Sequence, residues 1–166
     1  MTASDWRKIT RQLRSKPAVL KKFLKHNKPR ARAYGIAANK CEVCGNITEV
    51  LHAGAGELVC CGQPMKLMNE KTQDEGQEKH LPVIEQLPDN VCRGGDGIIV
   101  KVGEVAHPME EEHYIEWVEV ETKSGKVGKH FLKPGDSTEM EFQTRDDIVE
   151  VRVYCNVHGL WVKKID

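Results

Sequence analysis

The chain has 166 residues, of which 39% are hydrophobic and 30% charged, a composition typical of a soluble globular protein with one core and a small additional module. No apolar run approaches the roughly 20 residues that a membrane-spanning helix needs, and the N-terminus is too charged for the apolar region of a signal peptide. We therefore expect a cytoplasmic protein, in which clustered cysteines bind metal more often than they form disulfides.

The formal net charge of zero hides a strong asymmetry along the chain. Residues 1–33 carry eleven Lys or Arg and one acid, Asp5, whereas residues 34–166 carry fourteen Lys or Arg and twenty-four Asp or Glu. The first segment therefore has a charge of +10 and the remainder −10. This division indicates a separate role for the basic segment.

Residues 1–36 contain two short amphipathic patterns that predict a helical extension. Trp6, Ile9 and Leu13 recur at helical spacing, and a second pattern covers residues 17–26. One interpretation is an extension that packs on its own body or on a partner. The other is a nucleic-acid-binding segment, although this length is short for the usual three-helix core and no base-reading residue can be named.

Four cysteines define the next part, residues 37–73. Cys41 and Cys44 form a Cys-x2-Cys pair, and the adjacent Cys60 and Cys61 follow after fifteen intervening residues. A Cys-x2-Cys turn aims both sulfurs at one point, so the spacing predicts a tetrathiolate metal site. So short a segment cannot form an adequate core, and a metal would stabilise it. Zinc is the commonest occupant of such sites, but adjacent cysteines tend to point apart and imply a distorted tetrahedron.

The remaining chain, residues 74–166, is typical of an all-β domain. Val151 and Val153 alternate with Glu150 and Arg152, as in a strand with two different faces. Strands are predicted at 98–105, 114–121, 129–132, 139–144, 148–154 and 160–163, with two small ones in the cysteine module at 47–51 and 58–59. Short strands separated by Gly- and Pro-containing turns predict an immunoglobulin-like antiparallel β-sandwich.

Five residues at the ends of these strands or in loops are candidate ligands for a second metal. They are His80, His107, His113, Cys155 and His158. Only Cys155 and His158 have a recognised metal-ligand spacing, Cys-x2-His. A rigid sandwich can bring the others to the same point from distant parts of the sequence. The residues alone leave this second site open, because each histidine could equally be an ordinary surface or strand-terminal residue.

Three motifs in this region resemble a known enzyme domain. They are Glu78-Lys79-His80-x-Pro82-Val83-Ile84-Glu85, His107-Pro108-Met109-x3-His113-Tyr114-Ile115-x-Trp117 and Tyr154-Cys155-Asn156-x-His158-Gly159-x-Trp161. Together they resemble the superoxide reductase domain, and the cysteine module before them resembles desulforedoxin. The chain is thus similar to the desulfoferrodoxin family, the two-iron superoxide reductases, over about residues 38–166. Its basic N-terminal extension has no counterpart in that resemblance.

The resemblance implies two iron centres and a reaction. A tetrathiolate iron would be held by Cys41, Cys44, Cys60 and Cys61. A catalytic iron would have equatorial nitrogens from His80, His107, His113 and His158, an axial sulfur from Cys155 and a sixth position open for substrate. The implied reaction is the one-electron reduction of superoxide to hydrogen peroxide without formation of dioxygen.

The resemblance also implies roles for two residues beside the ligands. Lys79 would attract superoxide and hydrogen-bond the peroxide, and Glu78 would ligate the ferric iron after turnover and assist product release. From the residues alone, an exposed Glu-Lys pair is more typical of a solvated turn.

A rubredoxin-like electron donor and a homodimer are further implications of the resemblance. The tetrathiolate iron would relay electrons, or would serve dimerisation and stability. Two competing interpretations remain: a structural zinc protein whose basic N-terminus binds nucleic acid, and a one-electron carrier whose second site is coordinatively closed.

Overall fold

The computed structural model describes residues 37–52, 54–73, 76–87 and 97–165. The helices predicted in residues 1–36 lie outside this part of the chain. Over the described ranges the chain is mainly β, with thirteen strands and one four-residue helix. No helix within these ranges is long and apolar enough to cross a membrane. The chain divides into two compact units, Met1–Leu67 and Met68–Asp166. The limits predicted for the three parts of the chain stay predictions.

The first unit contains a three-stranded sheet and a small hairpin. Its strands are β1 Ala37–Lys40, β2 Ile47–Val50, β3 Val59–Cys60, β4 Gln63–Pro64 and β5 Lys66–Leu67. β1 pairs antiparallel with both β2 and β5, and β3 pairs with β4. The two small strands predicted here are confirmed, the second one shifted by one residue. Among the described residues of this unit only Ala38 and Cys41 are buried, so apolar burial contributes little to its stability.

The second unit is a β-sandwich, which confirms the predicted fold class. Its elements are β6 Glu70–Lys71, α1 Gln77–His80, β7 Pro82–Gln86, β8 Gly97–Val102, β9 Ile115–Thr122, β10 Val127–Phe131, β11 Glu139–Gln143, β12 Ile148–Cys155 and β13 Gly159–Lys164. One sheet has the strand order β10-β9-β12-β13-β6 and the other β11-β8-β7. The pairings are antiparallel except for the short parallel pair of β6 and β13.

The core of this unit lies between the two sheets. Val151 and Val153 of β12 are fully buried and pack in one apolar cluster with Val100 of β8. Burial of each such side chain contributes about 1.5–3 kcal/mol. Cys155 and Trp161 belong to the same cluster. The core therefore fixes Cys155 at the end of β12 and Trp161 near the start of β13, two residues of the third sequence motif.

An ionic network is buried on the opposite face of the five-stranded sheet. Arg152 alternates with the core valines of β12 and is only 3% exposed. Its Nη1 donates to Oε1 of Glu119 at 2.8 Å and its Nε to Oε1 of Glu150 at 2.6 Å, while Nη2 lies 3.7 Å from Glu121. Nζ of Lys129 lies 2.8 Å from the second oxygen of Glu119. Three buried carboxylates thus depend on two cations.

We expect Arg152→Ala to lower the free energy of unfolding by about 3–5 kcal/mol, because removal of one partner leaves buried charges uncompensated. Denaturant unfolding of the metal-loaded protein measures the effect. Lys123→Ala is the control, since Lys123 pairs with Asp147 at 3.3 Å on the surface, where the two side chains are 70% and 77% exposed. That variant should lose less than about 1 kcal/mol, and equal losses in the two variants would contradict the prediction.

Candidate metal centres

The four cysteines of the first unit converge on one point. The sulfurs of Cys41, Cys44, Cys60 and Cys61 all lie within 4.8 Å of one another. Sγ of Cys60 lies 3.6 Å from that of Cys44 and 3.9 Å from that of Cys61. Ligands of a tetrahedral site with metal–sulfur bonds of about 2.3 Å are separated by about 3.8 Å. The observed spacing therefore fits a single tetrathiolate iron.

An unusual backbone conformation lets two adjacent cysteines share this site. Cys61 has a φ of 51°, and the following Gly62 has a φ of 75°. The left-handed region is uncommon for a residue with a side chain. Because the backbone of Cys61 is not extended, its side chain can point to the same place as the side chain of Cys60. Adjacent side chains of a regular strand would point to opposite faces.

Hydrogen bonds shift the pKa values of three of these thiols in different directions. Backbone N–H groups of Cys44 and Val43 lower the pKa of Cys41 to about 7. Hydrogen bonding with Cys44 raises the pKa of Cys60 and raises that of Cys61 to about 12. The raised pKa values favour the protonated thiols of Cys60 and Cys61 at neutral pH. A bound metal ion displaces their protons and stabilises all four thiolates.

A second cluster in the sandwich unit joins His80, His107, His113, Cys155 and His158, whose ligand atoms lie within 4.8 Å of one another. Nε2 of His80 is 3.1 Å from both Nε2 of His107 and Nδ1 of His158, and the latter is 3.1 Å from Nε2 of His113. Three consecutive edges of 3.1 Å fit a square whose centre lies about 2.2 Å from each corner, close to the roughly 2.0–2.1 Å of a metal–imidazole bond. Sγ of Cys155 is 3.5 Å from Nδ1 of His158. The cluster therefore fits one iron with four nitrogens and one sulfur.

These five ligands come from four places in the fold. His80 is the last residue of α1, Cys155 is the last of β12, and His158 lies in the turn between β12 and β13. His107 and His113 lie in the connection between β8 and β9. A tight turn holds His113, since its backbone exchanges hydrogen bonds of 3.0 and 3.1 Å with that of Glu110.

Hydrogen bonds to carbonyl groups set the tautomers of two histidines. Nδ1–H of His80 donates to the carbonyl oxygen of Gly76 at 2.7 Å, and Nδ1–H of His107 to that of Pro108 at 2.6 Å. Each bond leaves Nε2 with its lone pair directed to the cluster. Burial lowers the pKa of His80 and lowers that of His107 to about 4. Both imidazoles are therefore neutral at neutral pH, as a metal ligand must be.

Cys155 is fully buried at the end of β12. Burial raises the pKa of its thiol, whereas backbone N–H groups of His158 and Val157 lower it. The N–H of His158 donates to the sulfur at 3.4 Å. Such bonds control how much electron density a thiolate gives to its metal.

Two residues beside this cluster were not predicted as site residues. The ring of Trp161 stacks on that of His80, with centroids 4.6 Å apart and an angle of 10° between the planes. Nζ of Lys71 lies 5.3 Å from the Trp161 ring, and its charge adds to burial and His113 in lowering the pKa of His158. Trp161 fixes the plane of one ligand, and Lys71 reaches the site through the parallel pairing of β6 with β13. No sequence signal predicts this two-residue pairing.

Asn156 connects the cysteine turn to the loop that carries His113. Its side-chain oxygen accepts from the backbone N–H of Tyr114 at 3.0 Å, and its side-chain nitrogen donates to the carbonyl of Glu112 at 3.0 Å. Its place in the motif marks the residue, but its partners become visible only in the structure. The bonds hold two ligand-bearing segments in one arrangement.

The structure places all nine predicted ligands in the two clusters. Glu78 and Lys79 lie in α1 directly before His80, with exposed side chains. The carboxylate of Glu78 acts on the site electrostatically, since it raises the pKa of His80 against the larger, opposite effect of burial. The catalytic roles expected of Glu78 and Lys79 stay predictions.

Comparison with known proteins relates this arrangement to a family. The model of the family described as Desulfoferrodoxin matches residues 72–164, and that described as Desulfoferrodoxin, N-terminal domain, matches residues 37–68. A desulfoferrodoxin homolog of Archaeoglobus fulgidus is 62% identical over 122 residues, covering 74% of this chain and 91% of the relative. A desulfoferrodoxin of Nitratidesulfovibrio vulgaris is 57% identical over 122 residues, covering 74% of this chain and 90% of the relative.

A solved structure shows the same fold. The superoxide reductase from Treponema pallidum superposes with a TM-score of 0.61 at 28% identity, covering 78% of this chain and 98% of that chain. Residues 1–36 lie outside both family matches. The two matched regions, the identities and the two ligand clusters lead to one conclusion: this chain belongs to the desulfoferrodoxin family.

Proposed function

We propose that the chain is a superoxide reductase that removes superoxide by one-electron reduction to hydrogen peroxide. One superoxide, one electron and two protons give one peroxide, and no dioxygen is formed. The observation that carries the proposal is the convergence of four imidazoles and one thiol on a single point in the sandwich unit. The relative from Treponema pallidum is itself named a superoxide reductase. Iron bound at this point would supply the electron.

The charge of the cluster suits an anionic substrate. Four neutral imidazoles and one thiolate leave a divalent ion with a net positive charge, which favours the approach of superoxide. With iron bound, the sulfur of Cys155 would donate electron density to it, as a thiolate ligand does in haem proteins. The N–H of His158, 3.4 Å from the sulfur, would moderate that donation.

We propose that Lys79 attracts superoxide and hydrogen-bonds the product, and that Glu78 assists product release. The exposure of both side chains and their position directly before a buried ligand, His80, support these roles. An exposed ammonium group at the protein surface can raise the encounter rate with an anion without holding it tightly.

We expect Lys79→Ala to slow the bimolecular reaction with superoxide by about tenfold, the lower end of the range for electrostatic steering. Its rate should also depend less on ionic strength, because the screened attraction is gone. Pulse radiolysis at several salt concentrations measures both quantities. Lys123→Ala removes the same charge at the far end of β9 from Cys155 and should leave both unchanged. An unchanged rate in Lys79→Ala would refute the steering role.

Metal analysis and product analysis of the isolated protein test the activity itself. We expect two irons per chain and peroxide formation without dioxygen. Zinc as the only metal would favour a structural zinc protein with a nucleic-acid-binding N-terminus. Two irons with no reaction toward superoxide would favour a one-electron carrier. If the protein binds nucleic acid, a variant that lacks residues 1–33 should bind it more weakly. Binding of unchanged strength in that variant would show that the extension is not the binding site.

We propose further that a rubredoxin-like protein donates the electron, that the tetrathiolate iron relays it, and that the protein is a cytoplasmic homodimer. The similarity to desulfoferrodoxins supports these assignments. We propose three parts for the chain, a basic extension over 1–36, a tetrathiolate module over 37–73 and a catalytic sandwich over 74–166. The two family matches, which cover 37–68 and 72–164, support this organisation.

A further inference from the structure

Gly103 follows β8 and packs against the backbone of α1, the helix that contains Lys79 and His80. Its φ is +80°, in the left-handed region. A Cβ at this position would lie 2.7 Å from both the Cα and the carbonyl carbon of Lys79, and 2.5 Å from the carbonyl oxygen of Val105. These are backbone atoms, so no change of rotamer relieves the contact. Only glycine satisfies both the φ angle and the available space.

Two backbone hydrogen bonds connect α1 to the same turn. The N–H of Gly103 donates to the carbonyl of Leu81 at 3.1 Å, and the N–H of Val105 donates to that of Glu78 at 3.0 Å. The accepting groups lie on either side of Lys79 in the sequence. The turn of residues 103–105 therefore holds the backbone around Lys79 from both directions.

The helix cannot determine this position by itself. It has only four residues, and Gly76 at its N-terminus has no side chain that could cap it. A single turn is unstable in isolation because nucleation fixes several residues for few hydrogen bonds. The preceding strand β8, in contrast, ends in the buried core residue Val102. The core thus sets the place of the turn, and the turn, together with the buried His80 that stacks on Trp161, sets the place of the helix.

We propose that Gly103 is a positioning residue for Lys79, because the close approach of its Cα determines where the Lys79 ammonium stands for an incoming superoxide. The inference rests on the proposed superoxide reduction. It assigns to a residue without a side chain a part in the rate of superoxide capture, acting through the helix backbone. Displacements of about 1 Å in such positioning can cost up to about 100-fold in rate.

The test compares Gly103→Ala with Gly125→Ala. Gly125 also has a positive φ, +84°, but an added Cβ there meets no atom within 4 Å. The control thus has the same backbone strain without the contact against Lys79. We expect Gly103→Ala to slow the reaction with superoxide about tenfold and to weaken its ionic-strength dependence, and Gly125→Ala to retain both. The absorption of both iron centres reports whether each variant keeps its metals.

A double-mutant cycle with Lys79→Ala separates positioning from general damage. If Gly103 acts through Lys79, Gly103→Ala should have little further effect in the Lys79→Ala background. Effects that multiply would overturn the inference, as would a Gly103→Ala variant that matches Gly125→Ala. Wild-type protein that fails to react with superoxide would instead overturn the proposed function.

Val105→Pro provides a second variant in case Gly103→Ala does not load iron. It removes the N–H that donates to Glu78 and leaves the space at Gly103 open. We expect Val105→Pro also to slow the reaction with superoxide and to weaken its ionic-strength dependence. This effect should appear only in protein that retains Lys79. A Val105→Pro protein with the full rate and full ionic-strength dependence would contradict the role of the turn.

Discussion

Replacement of Cys155 by serine is expected to abolish superoxide reduction and to remove the thiolate-to-iron absorption of the second centre. The sulfur of Cys155 is fully buried and belongs to the core cluster, so no other described cysteine can take its place at this position. Residues that merely orient a ligand cost about 10–100-fold in activity or affinity when changed. Loss of the ligand itself should therefore cost more than about 100-fold. Stopped-flow or pulse-radiolysis kinetics and visible spectroscopy measure the two effects.

Cys61→Ser is the reciprocal control for this prediction. Cys61 belongs to the other cluster, so its replacement should remove the tetrathiolate absorption and leave the direct reaction with superoxide unchanged. Cys155→Ser should show the opposite pair of results. A Cys155→Ser protein that kept the absorption or the rate would show that the thiolate does not ligate the catalytic iron.

Cys44→Ser is expected to unfold the first unit while the sandwich stays folded. Among the described residues of that unit only Ala38 and Cys41 are buried, so apolar burial cannot replace the metal. Structural zinc sites contribute about 10–16 kcal/mol to the folding of small modules, and we expect a comparable dependence here. Hydrogen exchange should show loss of amide protection in β1 and β2, with protection kept in β9 and β12.

Val43→Ser is the matched control for this experiment. Val43 lies between the two cysteines of the Cys-x2-Cys pair and is 61% exposed, so its replacement changes the same turn without removing a ligand. Its protection pattern should match that of the wild type. Retained protection of β1 and β2 in Cys44→Ser would contradict the prediction. Full activity of Cys44→Ser with a reduced rubredoxin-like donor would count against the electron relay.

All six strands predicted in the sandwich were found, although the one predicted at 98–105 ends at Val102, whereas β1, β6 and β7 were missed. Period-2 patterns placed β11 and β12 within one residue of their observed limits. β1 has the sequence Ala-Ala-Asn-Lys, which carries little strand propensity. β6 is a charged dipeptide that becomes a strand only because it pairs with Trp161 and its neighbour in β13. β7 begins with proline and has only two apolar residues after it, Val83 and Ile84, which is a weak strand signal.

The candidate site divides in the same way. The Cys-x2-Cys and Cys-x2-His pairs could be predicted from spacing alone, because a turn of two residues places both ligands within reach of one metal. His80, His107 and His113 had ordinary alternatives and were assigned through the family motifs. Lys71, Trp161 and Gly103 were not predicted as site residues, since their contacts with the site connect different strands and loops.

The sequence by itself determined which residues can bind metal, the alternation that builds the sandwich and the family to which the chain is similar. These three features depend on local spacing and on sequence motifs, both of which can be read from the sequence alone. Only the tertiary structure decided that His80 and His158, 78 residues apart, present nitrogens 3.1 Å from each other. It also decided that the backbone of Lys79 rests on Gly103. The physical reason is that packing between distant segments depends on the whole core, whereas a chelating turn needs only its own few residues.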